Sequence, residues 1–204
     1  MTVYENQNSN LREVGKLARD IHLEGYHCSE TVLRAVWPHL FPQKELMDDI
    51  LRMAMVLHGG IADSMSSHCG GLTTGILMIG LLYGRNDING DARLAPAIAR
   101  KYWQQFLDEF GTSHCTTLKS EPTLTGEAPT RCGCIMVRSA RLLIKCLEEI
   151  KNNPVPKKDM YKWKLDRTKE PCHEKIIPMK SSEEVKAEKL ASMKKKQIGE
   201  IDER

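Results

Sequence analysis

Apolar residues recur at helical spacing through Leu11, Val14, Leu17, Ala18 and Ile21, and the pattern stops at Gly25, which predicts a first helix. Residues 29–37 again read as a helix, expected to break before Pro38 because proline cannot supply the backbone donor. Residues 44–58 carry Leu46, Ile50, Leu51, Met53, Ala54, Val56 and Leu57, dense enough to predict a buried helix ended by Gly59-Gly60. From Cys69 to Gly84 the chain is apolar nearly all round, as expected of a central helix. The glycines at 71, 75 and 80 each cost roughly 1 kcal/mol relative to alanine in a helix, so close packing of a neighbour or a ligand is expected there. Asp91–Phe110 reads as a long amphipathic helix with Pro96 in its first turn, closed by Gly111. A short helix over Cys115–Leu118, a Thr/Pro/Gly-rich loop to Thr130, and a last core helix over Ile135–Ile150 complete the body.

Strand-like alternation is scarce and no long period repeats, so the fold class is all-α, a bundle of five or six helices. Beyond Asn152 the apolar pattern thins. Prolines at 154, 156, 171 and 178 and scattered lysines predict an extended, partly helical C-terminal arm, with a charged helix capped by Ser181 and Glu184. The expected division is therefore a helical body over residues 1–150 and a basic arm over 151–204.

Composition sharpens this division. The chain has 204 residues, enough for one domain plus an appendage, and its 41% hydrophobic and 28% charged content is that of a globular protein. Residues 1–150 hold 15 basic against 17 acidic side chains, a net of −2; residues 151–204 hold 15 against 10, a net of +5. A near-neutral body leaves no electrostatic footprint for nucleic acid, and none is expected as a partner. The longest apolar run is too short to span a bilayer, and residues 1–6 have neither the basic nor the apolar region of an export signal, so a cytoplasmic protein is expected.

In a reducing compartment seven cysteines point to metal, cluster or redox chemistry rather than a disulfide framework. Cys28, Cys69, Cys115, Cys132 and Cys134 fall at helix edges or loops, where a helix N-terminus can stabilise a thiolate. Cys146 lies in an apolar helical pattern and reads as a buried hydrophobe; Cys172, beside His173, is incidental. Three histidines, His27, His68 and His114, stand directly before a cysteine. Neighbours on a helix point about 100° apart, so each is a candidate donor or proton acceptor behind the sulfur rather than a co-ligand. Met65 is close enough in sequence to His68 and Cys69 to line a site. Phosphate-loop, dinucleotide, serine-hydrolase and zinc-protease motifs are missing, and Asp48-Asp49 and Glu148-Glu149 read as solvated surface.

Taken together, Gly25-Tyr26-His27-Cys28-Ser29-Glu30-Thr31, His58-Gly59-Gly60-Ile61 leading to Cys69-Gly70-Gly71-Leu72-Thr73, Phe110-Gly111-Thr112-Ser113-His114-Cys115, and Cys132-Gly133-Cys134 before a helix resemble the redox-active proteins named for a C, CGAxxG, C, C pattern. The resemblance spans residues 10–150, with Gly71 in place of the motif's alanine and Thr74 in place of its last glycine. It implies a helical bundle with a redox role. A similar domain occurs in split-Soret cytochromes, beside haem sites and with an iron–sulfur centre; the C-x-x-C-H needed for covalent haem is missing here.

The resemblance thus implies a cysteine site made of Cys28, Cys69, Cys115 and either Cys132 or Cys134. Four thiolates suit a 2Fe–2S cluster, two to each iron, with Gly70, Gly71, Gly111 and Gly133 letting backbone amides approach the sulfurs. Two alternatives use the same residues. One is thiol–disulfide exchange, with Cys132-Gly133-Cys134 as a strained local pair; the other is a structural zinc in an adaptor protein. Electron transfer or redox sensing, as an accessory rather than a stand-alone enzyme, is the expected role. A redox partner protein and a homodimer or larger complex are the expected partners, with the arm wrapping one of them.

Overall fold

The computed structural model describes residues 3–157 and Met160, with side chains from Ser9 onward. The chain divides into Met1–Lys162 and Trp163–Arg204, and the second unit lies wholly outside the described residues. Most of the expected arm lies there too, with its capped helix and Cys172, but its first residues are described: the last core helix runs on through Lys151 and Asn152, and Val155 packs against the core.

Seven helices, and no named strand, make up the described part: α1 (Val3–Leu23), α2 (Cys28–Leu40), α3 (Asp48–Met55), α4 (Gly70–Tyr83), α5 (Leu94–Phe110), α6 (Cys115–Ser120) and α7 (Arg131–Asn152). The all-α class is as the periodicity predicts. Helix α1 lies along α7 and α2, while α4 packs against α2, α5 and α7. Val14, Ala18 and Ile21 of α1, Leu72, Met78 and Ile79 of α4, Tyr102 and Phe106 of α5, and Ala140, Leu143 and Ile144 of α7 join one core. Fully burying a large aliphatic side chain contributes about 1.5–3 kcal/mol, so this cluster holds the cysteine-bearing helix ends in place. None of the described helices is long and apolar enough to cross a membrane.

Gly75 and Gly71 are explained by close approach. A Cβ on Gly75 would lie 2.3 Å from the Tyr102 ring, and one on Gly71 2.7 Å from Ser139 Oγ. The Tyr102 hydroxyl donates to the Gly71 carbonyl at 3.3 Å, tying α5 to the start of α4. Gly80 departs from this expectation, since a Cβ there would meet nothing within 4 Å.

Four boundaries also differ, the first being α5, which starts at Leu94 after Arg93 rather than at Asp91. Pro38 lies inside α2, which runs on to Leu40. In a last turn proline forfeits one N–H only, and the Phe41 amide still closes the end on the Trp37 carbonyl at 2.8 Å. Helix α3 is eight residues long and mostly exposed, with Ala54 its one buried residue and Met53 62% exposed. Apolar density alone does not separate a buried helix from a short one with a bare face. Helix α7 starts at Arg131, four residues before the expected Ile135, because the Thr130 side chain accepts the Gly133 amide at 2.9 Å and caps it.

Candidate functional site

The first turns of α2, α4, α6 and α7 carry the chemistry. Cys28 and Cys115 are the first residues of α2 and α6, Cys69 is the cap residue of α4, and Cys132 is the second residue of α7. All four line one cavity of about 270 Å³. The unpaired N–H groups of a helix start carry partial positive charge, so four helix starts face a common void.

Backbone bonding fixes two of these starts to each other. His68 and His114 form an isolated antiparallel bridge, in which the Cys69 amide donates to the Ser113 carbonyl at 2.8 Å and the Cys115 amide to the Ser67 carbonyl at 2.9 Å. Gly70 brings α2 in as well. A Cβ at 70 would fall 2.4 Å from Cys28 Sγ and 3.1 Å from the Leu57 carbonyl, so the sulfur occupies the space that a side chain would take.

Burial is the largest influence on each sulfur. It pushes the Cys28 thiol up, opposed by the backbone N–H groups of Gly59, Ser29 and Gly70. Cys69 is pushed up furthest, by burial first and then by Cys28, with the Gly71 amide opposing. Cys115 and Cys132 are raised by burial and by the neighbouring Cys28, with the Lys119 ammonium pulling both back down. Cys28 is thus the one sulfur near enough to raise each of the other three. Among the described residues all six cysteines are free thiols, and no three His, Cys, Asp or Glu side chains close to the distances of a single metal ion. A lone zinc would need its sulfurs about 2.3 Å from one point. The four thiols instead surround a space.

Cys134 does not join them. It is fully buried and its thiol donates to the Ala128 carbonyl at 3.4 Å. Residues two apart on a helix point about 200° apart, so α7 can aim only one of Cys132 and Cys134 into the cavity. The same geometry separates the pair as a disulfide, which would require unwinding the first turn. Cys146 is buried in the core, as its apolar setting predicts, and burial pushes its thiol up to about 11.

Of the three histidines that precede cysteines, His27 lines the cavity, whereas His68 and His114 are not among its lining residues. His68 instead bonds Ser113 Oγ at 3.0 Å and sets its ring against Trp103, centroids 4.7 Å apart. The amides of Gly70 and Gly71 do serve the sulfurs; the Gly133 amide goes to Thr130, and Gly111 ends α5 with φ 71°.

Several lining residues lie outside the set read from the sequence: His22, His58, Asp63 and Lys119. His58 stacks on His27 at 4.3 Å and bonds the Met55 carbonyl at 2.6 Å. His22 bridges the Tyr26 carbonyl at 3.2 Å and Thr130 Oγ1 at 3.0 Å, joining the end of α1 to the cap of α7. Lys119 had a readable signal, since it stands one helical turn after Cys115. The other three lie far in sequence from the cysteine they approach. Met65 lines the cavity as expected.

One wall is a strained turn. Gly59, Gly60, Ile61, Ala62, Asp63 and Met65 all have positive φ, from 52° to 74°. Four of the six are not glycine, and each such residue costs about 1–2 kcal/mol. Hydrogen bonds from the Ala62 amide to Val56 at 2.8 Å and from the Met65 amide to Gly59 at 2.7 Å hold the turn. It brings the Gly59 amide to Cys28, and Gly60 so near Cys115 that an added Cβ would be 2.9 Å from its Cβ.

A protein-family profile described as "Putative redox-active protein (C_GCAxxG_C_C)" matches residues 26–146, which takes in the cavity's four cysteines. The chain belongs to this family of redox-active proteins, defined by separated cysteines. The family's printed motif reads GCAxxG, which corrects the CGAxxG expected above: aligned on Cys69, its first glycine falls on His68, its alanine on Gly70 rather than Gly71, and its last glycine on Thr73 rather than Thr74. No curated protein and no solved structure matches the chain.

Proposed function

We propose that the chain is a one-electron carrier or redox sensor whose Cys28, Cys69, Cys115 and Cys132 hold an iron–sulfur cluster of the 2Fe–2S type. The observation that carries this reading is the convergence of four thiols, each from a different helix start, on a single cavity. Four thiolates match the ligand demand of two irons. Such a cluster, when bound, exchanges an electron at the site.

The chain's own residues supply the setting. Helix starts and the amides of Gly59, Gly70 and Gly71 offer partial positive charge to anionic sulfurs, and Lys119 adds a full charge. Leu118, Ile135 and Met136 give the cavity apolar walls. Each thiol must shed its proton to ligate, so loading releases protons and tightens as pH rises.

Anaerobic isolation with iron, sulfide and zinc analysis and a visible spectrum tests the proposal. The expected result is iron and acid-labile sulfide in about equal amounts, with thiolate-to-iron absorption that bleaches on reduction. Zinc without sulfide, or a metal-free chain that refuses iron and sulfide, contradicts it.

A further inference from the structure

One lysine and one carboxylate line the cysteine cavity, Lys119 and Asp63. The backbone places both. Lys119 follows Cys115 by one turn of α6 and so shares its face. Its carbonyl accepts Arg131 Nη1 at 3.3 Å, which ties the end of α6 to the start of α7, where Cys132 stands. Its ammonium lies 3.9 Å from Met65 Sδ, a neutral acceptor, and Lys119 joins no ion pair among the described residues, so its charge is left uncompensated there.

Asp63 comes from the opposite wall. It sits in the left-handed turn with φ 52°, and its amide bonds the His58 carbonyl at 3.1 Å. Its carboxylate lies over Gly59, whose missing Cβ leaves room for it and whose amide approaches Cys28. His58 Nε2 stands 3.8 Å from the same carboxylate.

The two charges act on the sulfurs in opposite directions. Beyond burial and the neighbouring thiols, Lys119 pulls Cys115 down and Asp63 pushes it up, and Cys132 feels Lys119 as well. A charge that favours an anionic sulfur also favours any further negative charge at the same place. Reduction of a thiolate-held cluster is such an addition, since one electron enters from the reductant and no bond forms or breaks.

We propose that Lys119 and Asp63 set the reduction potential of the group held by the four cysteines, the lysine favouring its reduced state and the aspartate its oxidised state. This rests on the cluster reading of the site. Lys119 reaches two of the sulfurs and Asp63 one, so the lysine has the larger effect. Both side chains are exposed, so the effect is moderate and screened by salt.

Potentiometric titration with dithionite tests the proposal, on the full chain reconstituted anaerobically with iron and sulfide and followed by visible absorption at low salt. At a fixed potential Lys119→Gln is expected to lower the ratio of reduced to oxidised cluster about fivefold, a downward shift of about 40 mV for one electron. Asp63→Asn is expected to raise that ratio about twofold, and Lys119→Arg, which keeps the charge, to stay within about twofold of the parent. Asparagine tolerates a left-handed backbone and position 119 is exposed, so the variants retain the fold. In about 1 M salt, where the Debye length is about 3 Å, both shifts are expected to shrink, which the loss of a merely structural contact would not do. Loaded variants that share the parent's potential, or that shift in the same direction, overturn the proposal alone. Loss of the cluster from Lys119→Gln or Asp63→Asn assigns that residue to assembly instead and overturns it too. A parent chain that takes up no iron and sulfide overturns it together with the cluster reading.

Discussion

At the scale of single residues the cavity makes sharp distinctions between similar side chains. Cys132 faces the void and Cys134 faces Ala128, so Cys132→Ser is expected to abolish iron and sulfide uptake while Cys134→Ser leaves both in place; the reverse pattern in a metal assay would contradict the assignment. The raised thiols also predict a pH effect. Below pH 9 they are neutral in folded and unfolded chains alike. Above it the unfolded chain ionises first, so stability declines as pH rises and continues to decline until the folded-state thiols themselves ionise, which for Cys146 is near 11. Denaturant unfolding of the iron-free chain should therefore show stability falling from about pH 9 upward, with a shallower fall in Cys69→Ala. Parallel pH profiles would remove Cys69 as a source. The five cysteines at helix edges were legible from local sequence, because Gly, Pro and Thr mark where helices start. The choice between 132 and 134 was not, since it depends on a cap at Thr130 that shifts the helix start by four residues.

Among the elements, the strained turn and the caps set the sulfurs' positions. Thr130 both caps α7 and bonds His22 Nε2, so Thr130→Ala should cost about 1 kcal/mol in denaturant unfolding, with Thr130→Ser restoring most of it. An unchanged midpoint for the alanine variant would show that the cap does not hold α7. In the left-handed turn, Ala62→Gly removes a Cβ from a conformation that disfavours it. The gain is partly offset by the entropy of an added glycine, leaving a net stabilisation of about 0.5 kcal/mol. A destabilised variant would contradict the strain reading. This turn was hidden in the sequence. Gly59 and Gly60 announced a helix end, but Ile61 and Ala62 are residues that rarely follow glycine into left-handed conformation, and the backbone bonds from the Ala62 and Met65 amides that hold it there leave no mark in the sequence.

For the molecule as a whole, the helical body follows from periodicity alone, and the redox class from four cysteine contexts scattered over more than a hundred residues. What the chain's order could not reveal is the meeting of distant parts: His22 with Thr130, His58 with His27, and Gly70 with Cys28 are all contacts made by tertiary packing. The central claim is that the four helix-start sulfurs act as one ligand set. It is tested most directly by anaerobic reconstitution with iron and sulfide of the parent chain and of Cys28→Ser, Cys69→Ser, Cys115→Ser, Cys132→Ser and Cys134→Ser, with iron and sulfide counted per chain. The account predicts about two of each in the parent and in Cys134→Ser, and loss of the cluster in the other four variants. Full iron and sulfide retained in Cys28→Ser, the thiol that influences the other three, would contradict it.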